Sequence, residues 1–485
     1  MKYRLSRNSF VRRLGDYGYI INQLTKHDRV YNLSGAVFLS SLSRNVKSLE
    51  EGVNEVIKSF INIDYETVKA DFLEFINELA RDKYIVCGES EKEIDAKDVL
   101  FSYSCENPKT IINNFLDRDR DSFTKETNDI LTDEFRRNPV IFACEIEVTS
   151  KCNERCIHCY IPHENKNLDI DKSLMLNLLD QLSKMSTIGL TLSGGEVFLH
   201  KDIVDFLYYA RQKDFSISVL SNLTLLNKDI IKALKEVNVN LIQVSLYSMN
   251  PEEHDHITQL KGSYKKTIDS IEKLIAEDIP VQISCPVMKT NRNSYKNVLK
   301  WAYDRKMKAY TDFIMMARTD FNVSNLNERI DLKETEELIK DIIEIDEDYR
   351  TILDEVPPRS KDIDKFSKEP VCGVGINNLC VTADGNLYPC AGWQGYTIGN
   401  IKDAPLKDIW NNSPKIKFLR SITQSSFPKC LKCEAVDYCA MCMVRNFNES
   451  GGDIFKINKH FCDVAFLNKK IVEEYNNNKA AKISI

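Results

Sequence analysis

Three cysteines in one short run, Cys152, Cys156 and Cys159, have the type and spacing to bind an inorganic cluster. They form a CxxxCxxC pattern directly after a stretch with the composition of a β-strand. Three thiolates this close can ligate three irons of a [4Fe–4S] cluster, whereas an electron-transfer cluster takes four cysteines. The fourth iron then has no protein ligand, and an open coordination position is typical of a metal site that performs chemistry. A zinc site and three buried thiols are the alternatives that this pattern alone leaves open.

The composition of the chain restricts its class. Its 485 residues are enough for about three domains. The net charge of −6, with no polybasic block, argues against general nucleic-acid binding. No apolar run is long enough to span a membrane, and the N-terminus has no signal-peptide core. We therefore expect a cytoplasmic protein.

The distribution of the cysteines favours metal clusters over disulfides. Eleven of the 15 cysteines fall in the triad or between Cys372 and Cys462. A large chain without an export signal is not expected to be a disulfide scaffold. Grouped thiols in such a chain indicate metal binding.

Residues 139–330 alternate between β-prone and helical patterns. Between the β-prone runs lie longer stretches of helical period, such as Ile203–Ala210 and Ile268–Ile275. Alternation of this kind predicts parallel βαβ units with right-handed crossovers and reactive residues at the carboxyl ends of the strands. The β-prone runs are 142–149, 188–193, 215–221, 240–247, 280–287 and 310–316.

Residues 1–87 predict a small α/β unit that precedes this core. Ser48 and Glu51 form a capping-box pattern, and one helix carries an apolar stripe that we assign to core packing. The predicted features are strands at 18–22, 29–32 and 84–87, a helix from Ser34, a helix after Ser48, and the stripe Val68, Phe72, Phe75 and Leu79.

The remaining segments connect or follow these units. Residues 88–138, with the charged run Asp117–Asp121, predict a linker. Residues 331–370 predict a helical connector that Pro357 and Pro358 interrupt, and residues 371–485 predict a cysteine-rich C-terminal domain.

A second motif, Gly194-Gly195-Glu196, lies one βα unit after the triad. Glycines allow the backbone to approach a ligand closely. With the triad and the alternation, this motif resembles the radical S-adenosylmethionine (SAM) enzymes, whose fold is a partial (β/α)6 barrel. The resemblance implies that the open iron binds the amino and carboxylate groups of SAM. One electron then splits SAM to give a 5′-deoxyadenosyl radical.

The same resemblance implies further cofactor contacts. Gly194, Gly195 and Glu196 would bind the SAM amino group. Asn222 ends the third strand, where relatives approach the SAM ribose, and Ser245 matches a position that commonly contacts SAM. Tyr247 replaces the aspartate usual at its position, so the role of that aspartate is not transferred.

The C-terminal cysteines resemble those of the SPASM domain, which implies two auxiliary [4Fe–4S] clusters. Only two residues separate Cys439 from Cys442, where the family commonly has three. Cys380 is a candidate fourth ligand of the proximal cluster, and without it an open iron would bind a substrate thiolate. A pair of zinc sites is the alternative. The implied ligands are Cys430, Cys433, Cys439 and Cys462 for the distal cluster and Cys372, Cys390 and Cys442 for the proximal one.

Residues 1–87 resemble the PqqD-like recognition element of peptide-modifying enzymes, especially across 30–36 and the helices that follow. The resemblance implies that a precursor's leader peptide binds as an added β-strand. A regulatory or DNA-binding winged helix is the alternative, although no basic recognition helix is evident. The full predicted fold is thus α/β: a partial (β/α)6 TIM-type barrel with an N-terminal winged-helix-like domain and a C-terminal SPASM domain.

These three modules in this order resemble radical SAM maturases of ribosomally made, post-translationally modified peptides. The resemblance implies three [4Fe–4S] clusters and SAM as cofactors, a precursor peptide as partner, and ferredoxin or flavodoxin as electron donor. The favoured product is a Cys thioether. Carbon–carbon or carbon–oxygen crosslinking, a sulfatase-maturase-like enzyme and a non-enzymatic iron–sulfur redox sensor remain the alternatives.

Overall fold

A computed structural model gives the fold, with residues 1–98, 130–162, 167–345, 349–350, 353 and 359–483 described. The predicted charged run Asp117–Asp121 and the predicted break at Pro357 and Pro358 lie outside the described residues. Within the described ranges, no helix combines the length and the apolar composition needed to cross a membrane.

Two antiparallel three-stranded sheets and four helices make up the N-terminal unit, residues 1–98. The strand orders are β5-β1-β6 and β2-β3-β4, so β4 forms one edge of its sheet. In chain order the elements are β1 (Lys2–Leu5), β2 (Ser9–Leu14), β3 (Tyr17–Asn22), β4 (His27–Tyr31), α1 (Leu33–Ser40), β5 (Lys47–Ser48), α2 (Leu49–Val56), α3 (Tyr65–Arg81), β6 (Ile85–Gly88) and α4 (Glu91–Lys97).

The local predictions for this unit are confirmed. Ser48 and Glu51 form the capping box of α2, and the four stripe residues of α3 are buried. Strands β1 and β2 were not predicted. The unit also continues past residue 87, because the buried Asp98 carboxylate accepts a hydrogen bond from Arg4 at 3.0 Å. This contact fixes α4 against β1.

Six βα units follow. Residues 130–137 are helical and precede the first of them. The elements are β7 (Ala143–Thr149), α5 (Lys172–Lys184), β8 (Gly189–Gly194), α6 (Ile203–Gln212), β9 (Ser216–Ser221), α7 (Lys228–Glu236), β10 (Leu241–Ser245), α8 (Pro251–Thr258), α9 (Ser263–Ala276), β11 (Val281–Ser284), α10 (Tyr295–Asp304), β12 (Lys308–Tyr310) and α11 (Leu332–Ile345).

Strands β7 to β12 lie in sequence order, and each neighbouring pair is parallel. The alternation of strands and helices is therefore confirmed. The predicted position of the last strand, 310–316, is wrong because the strand is Lys308–Tyr310. The apolar residues after it pack as a loop: Phe313 is half-buried against the main core, and Met315 is buried in a cluster with Tyr247. Apolar composition alone does not separate such a loop from a strand.

The two faces of this sheet differ in polarity. One face packs against the helices, and its residues are buried in one large cluster that includes Ile146, Leu192, Val219, Val244 and Ile283. The alternate residues are mostly polar and half-buried: Glu145, Thr191, Ser218, Gln243 and Gln282. A polar, half-open face at the centre of a domain is suited to a ligand rather than to core packing.

The C-terminal part joins the same sheet. Its elements are α12 (Ile363–Ser367), β13 (Asn378–Val381), β14 (Asn386–Tyr388), β15 (Gly399–Asn400), α13 (Leu406–Asn412), α14 (Pro414–Ser421), α15 (Pro428–Leu431), α16 (Met443–Ser450) and α17 (Lys459–Ile483).

Strand β13 pairs with β7 in parallel, which places Cys380 opposite Glu145. The predicted hairpin turn after β13 is confirmed, with Gly385 at φ +87°. The boundary predicted at residue 371 thus divides one hydrogen-bonded sheet of nine strands.

Candidate active site

The cysteine triad lies in the loop after β7, at the carboxyl edge of the parallel sheet. The amide of Arg155 donates to the Thr258 carbonyl at 2.9 Å, and that of Ile157 to the Ile257 carbonyl at 3.0 Å. Both acceptors belong to the last turn of α8, where helix carbonyls have no intrahelical partner. The end of α8 therefore holds the middle of the loop, which contains Cys156.

The glycines of the second motif pack against the start of this loop. The Gly195 amide donates to the Thr149 carbonyl at 2.9 Å, and the Glu196 amide donates to the Lys151 carbonyl at 2.8 Å. A Cβ on Gly195 would lie 2.2 Å from the Lys151 carbonyl oxygen, and one on Gly194, at φ +141°, would lie 2.2 Å from that of Thr149. The structure therefore gives both glycines a role in bringing two chain segments together, beside the predicted contact with SAM.

Glu196 ties this motif to the end of β9. Its buried carboxylate accepts hydrogen bonds from the Ser221 hydroxyl at 2.7 Å, the Asn222 amide at 2.8 Å and the Phe198 amide at 3.1 Å. Burial nevertheless raises the pKa of Glu196. The Asn222 side chain in turn donates to the Asn153 side chain, inside the triad loop, at 3.1 Å. Strands β7, β8 and β9 are thus connected at one edge around the cysteines.

The thiols themselves are suited to an iron–sulfur cluster. The Glu154 amide donates to Cys152 Sγ at 3.4 Å, and hydrogen bonds to cysteine sulfurs are one of the ways in which proteins tune clusters. Burial, followed by the charges of Glu154, Cys159 and Cys152, raises the pKa of Cys156. Such thiols do not all ionise unless a cation stabilises the thiolates, and the irons of a cluster provide that charge.

Among the described residues, no three His, Cys, Asp or Glu side chains are arranged to hold a single metal ion. A cluster distributes its cysteines over separate irons, so they are expected to stand farther apart than the ligands of one ion.

Glu154 is a site residue that the sequence did not single out. Its side chain is buried within the triad loop, and its Oε2 accepts a hydrogen bond from Cys156 Sγ at 3.4 Å. Within the described structure its Oε1 is buried and has no hydrogen-bond partner. Burial raises the pKa of Glu154 to about 7, and the nearby Glu196 adds to the shift. A lone glutamate in a loop carries no signal that could reveal this burial.

Tyr247 is the second residue whose role the sequence left unassigned. It is buried, and the His158 ring lies 4.9 Å from its own ring, edge to face. Burial and then Cys156 and Glu154 raise its pKa. Ser245 is the last residue of β10, so it lies at the same carboxyl edge of the sheet as the triad loop.

In the C-terminal region, the three cysteines predicted as the proximal set lie near one another. The thiols of Cys442 and Cys390 lie close enough to Cys372 to raise its pKa to about 11, although burial of the sulfur contributes most. Cys390 likewise has a pKa raised by burial and then by Cys442.

The distal set lines one cavity of about 480 Å³, which Cys372 also lines. Burial and then Cys462 and Cys433 raise the pKa of Cys430. Helix 130–137 covers this cavity through Thr132, Phe135 and Arg136. The distal residues lining it are Cys430, Cys433, Cys439 and Cys462.

Cys380 lies on the polar face of the sheet. It is fully buried, and its pKa is raised by burial, then by Glu147 and Glu145, and least by Cys390. Glu147 accepts a hydrogen bond from Gln394 at 2.5 Å, directly across the boundary between core and C-terminal part. Cys380 therefore stands between the acidic centre of the sheet and the proximal cysteines.

Comparison with protein families supports the assignment of both regions. Residues 146–316 match the Radical SAM superfamily, and residues 372–434 match SPASM, an iron-sulfur cluster-binding domain. These ranges contain the triad, the glycine motif and most of the C-terminal cysteines. SAM and several [4Fe–4S] clusters are accordingly the cofactors of this enzyme.

Individual relatives are distant. The chain is 23% identical over 60% of its length to Fe-coproporphyrin III synthase of Methanosarcina barkeri, covering 80% of that protein. It is 24% identical over 64% of its length to the antilisterial bacteriocin subtilosin biosynthesis protein AlbA of Bacillus subtilis, covering 69% of that protein. The fold resembles Streptococcus suis SuiB bound to precursor peptide SuiA, with a TM-score of 0.60 and 15% identity over 91% of this chain and 96% of that one.

Proposed function

We propose that this radical SAM enzyme is a maturase that crosslinks a ribosomally made precursor peptide, forming a thioether between a Cys sulfur and a carbon of another residue. The observation that carries the proposal is the N-terminal unit, residues 1–98, packed on a radical SAM core that continues into a SPASM domain. The likeness to SuiB, a protein solved with its precursor peptide, covers all three parts and supports the same architecture. Carbon–carbon or carbon–oxygen crosslinking by the same residues is the close alternative.

A tetrapyrrole substrate is the second candidate, because Fe-coproporphyrin III synthase is among the relatives. That similarity covers 60% of this chain, so much of the chain has no counterpart in it. A porphyrin enzyme has no evident use for an added peptide-binding unit. Mass spectrometry of a coexpressed precursor and of coproporphyrin mixtures would separate the two substrates.

We assign Cys152, Cys156 and Cys159 as ligands of the catalytic cluster. When bound, the cluster and SAM supply a radical that abstracts hydrogen from the substrate. The chain's own contribution is to fix the loop through α8 and the glycine motif and to orient the cofactor with polar groups at the strand ends. We include Gly194, Gly195, Glu196, Asn222 and Ser245 among those groups.

The sheet is proposed to curve as a partial (β/α)6 barrel that encloses its polar face. Six parallel strands in unbroken sequence order support this, because a doubly wound sheet would reverse its order. The half-buried polar residues then surround the space in which the core peptide and SAM meet.

The auxiliary clusters are assigned from the two thiol groups. The proximal cluster takes Cys372, Cys390 and Cys442, with Cys380 as the candidate fourth ligand, because its thiol is buried on the side of Cys390. Without Cys380 the open iron would bind the substrate thiolate. The distal cluster takes Cys430, Cys433, Cys439 and Cys462, which line the same cavity.

The N-terminal unit is proposed to be a PqqD-like winged-helix element that binds the leader as an added strand on β4. An edge strand offers backbone hydrogen-bonding groups to an extended peptide. Helix α3 stands beside this edge, since Tyr31 packs edge to face on Phe75 with ring centroids 5.1 Å apart and donates to Glu78 at 3.2 Å. Ferredoxin or flavodoxin would supply the electron.

The test uses anaerobically purified holoenzyme and synthetic peptides made from any short Cys-containing open reading frame found next to the gene. With dithionite and SAM we expect 5′-deoxyadenosine and a peptide lighter by two hydrogens per link. Iron analysis should give about twelve irons per chain for three four-iron clusters. Removal of residues 1–98 should reduce turnover of the full precursor far more than iron content, because tethering raises the effective concentration of the core. Equal turnover of leaderless and full-length peptide would contradict leader recognition.

A further inference from the structure

The N-terminal unit contacts one end of the parallel sheet through its β2 edge. Arg12 donates to the carbonyls of Lys213 at 2.8 Å and Asp214 at 3.0 Å. Arg44 pairs with the Asp214 carboxylate at 2.7 Å. Lys213 and Asp214 form the turn that enters β9, so this contact lies at the amino end of that strand.

A second contact of the same kind lies at the start of the next strand, β10. Lys26 Nζ donates to the Val239 carbonyl at 3.3 Å, and the Asn238 side chain donates to the Gln23 carbonyl at 2.8 Å. Asn238 and Val239 form the turn that enters β10. The unit therefore spans the amino ends of neighbouring strands.

The edge strand β4 also lies at the amino end of the parallel sheet. Val30 of β4 packs on an apolar cluster that contains Phe142 and Ile188, which immediately precede β7 and β8. Tyr19 of β3, opposite Val30 in the register, is buried in the same cluster. One face of the β2-β3-β4 sheet thus lies on the amino end of the core.

The cysteine triad lies at the opposite end. Cys152 follows the last residue of β7, Thr149, and the Glu196–Asn222 contact joins the carboxyl ends of β8 and β9. Strand β7 has seven residues. At about 3.3 Å per residue, its length separates the two ends by about 20 Å.

We infer that the substrate is a precursor whose leader is held at the amino end of the core while its modified residue enters at the carboxyl end, so that a spacer must run the length of the sheet. This rests on the proposed function. A fully extended chain advances at most about 3.6 Å per residue, so the spacer needs at least about six residues. The required substrate class is therefore a precursor with its first modified residue well separated from the leader segment.

The experiment uses the full-length holoenzyme and the Cys-containing peptide that the preceding test identifies as its substrate. Hydrogen exchange on the complex first identifies the leader segment that protects His27–Tyr31. The spacer is then shortened to about four residues, below the span that an extended chain can bridge. A Gly/Ser spacer of the native length is the matched control, because it keeps the reach and changes the sequence.

We expect all three peptides to bind with similar Kd, as measured by fluorescence anisotropy. The native and Gly/Ser spacers should be modified at similar rates, whereas the short spacer should lose at least about 100-fold in turnover, since a linker that cannot span its sites gives almost no effective concentration. Modification of the bound short-spacer peptide at the native rate would overturn the inference. Failure of the native precursor to bind or to react would instead contradict the proposed function itself.

Discussion

The triad loop and the auxiliary cysteine region are each proposed to hold an iron–sulfur cluster, but the two regions are built differently. The triad loop is fixed by backbone hydrogen bonds to α8 and to the glycine motif, and by the Asn153 contact with Asn222. Among the distal cysteines, Cys430 is in α15, which has four residues, Cys433 and Cys439 lie outside any helix or strand, and Cys462 is in the first turn of α17. The catalytic loop is therefore shaped by the protein, whereas the auxiliary region is expected to depend on its clusters for stability.

Among the tests of this contrast, the largest effect is expected when a triad cysteine is removed, and it is a loss of enzyme activity. Cys156→Ala removes a ligand of the catalytic cluster, so SAM cleavage should fall below detection and iron content by about a third. The thermal midpoint should change little, because the hydrogen bonds of Arg155 and Ile157 remain. Quantification of 5′-deoxyadenosine, iron analysis and calorimetry measure the three quantities. Retained SAM cleavage would show that the triad is not the catalytic ligand set.

The corresponding substitution of a distal cysteine should mainly lower the thermal stability of the protein. Cys433→Ala removes a distal ligand, and because metal binding there is coupled to folding we expect Tm to fall by about 5 °C or more. Limited proteolysis should cut near residues 428–442 in this variant and not in Cys156→Ala. If both variants lose the same stability, the contrast between the two regions is wrong.

Two glycine substitutions, one test and one control, examine whether the protein itself holds the triad loop in shape. Gly195→Ala places a Cβ 2.2 Å from the Lys151 carbonyl oxygen, so the loop must shift. We expect a loss of about 2–4 kcal/mol in stability and a large loss of SAM cleavage. Gly262→Ala is the control, since Gly262 at φ +82° has no atom within 4 Å of the added Cβ. Its cost should be about 1 kcal/mol from backbone strain alone, with SAM cleavage retained.

The smallest expected effect is a weakening, at acidic pH, of the hydrogen bonds that hold the triad loop to α8. His254 in α8 is buried, and its Nδ1 lies 3.1 Å from the Ser263 hydroxyl. Burial lowers the pKa of His254 to about 4, although Asp255 opposes the shift. A lowered folded-state pKa means that its contribution is present above about pH 6.5 and is lost as the pH falls through 4, roughly 3 kcal/mol in all.

The readout is amide hydrogen exchange at Arg155 and Ile157, which donate to the last turn of α8. Their protection factors should decrease between pH 6.5 and 4 in the native enzyme. In His254→Gln this decrease should be much smaller, with only the remaining titration of Glu154, whose pKa is about 7, contributing. A decrease of the native size in the variant would assign the effect to a group other than His254.

Much of the site was accessible from the sequence because its chemistry is local. The CxxxCxxC spacing and the Gly-Gly-Glu motif lie within one βα unit of each other, and strand alternation predicted that both reach the same edge. The sixth strand was misplaced because Phe313 and Met315 pack on apolar clusters without being in a strand. The burial of Glu154 and Tyr247 was not predictable, since it depends on α8 and on the neighbouring strands rather than on neighbours in sequence.

The sequence by itself determined the kind of chemistry, because thiolate number and spacing define which metal groups a short loop can bind. Only the tertiary structure decided where the parts act. It joined β13 to the core sheet, buried Glu154 in the triad loop, and put the N-terminal unit at the end opposite the triad. The physical reason is that these placements result from packing and hydrogen bonding between segments far apart in the chain, which no local pattern encodes.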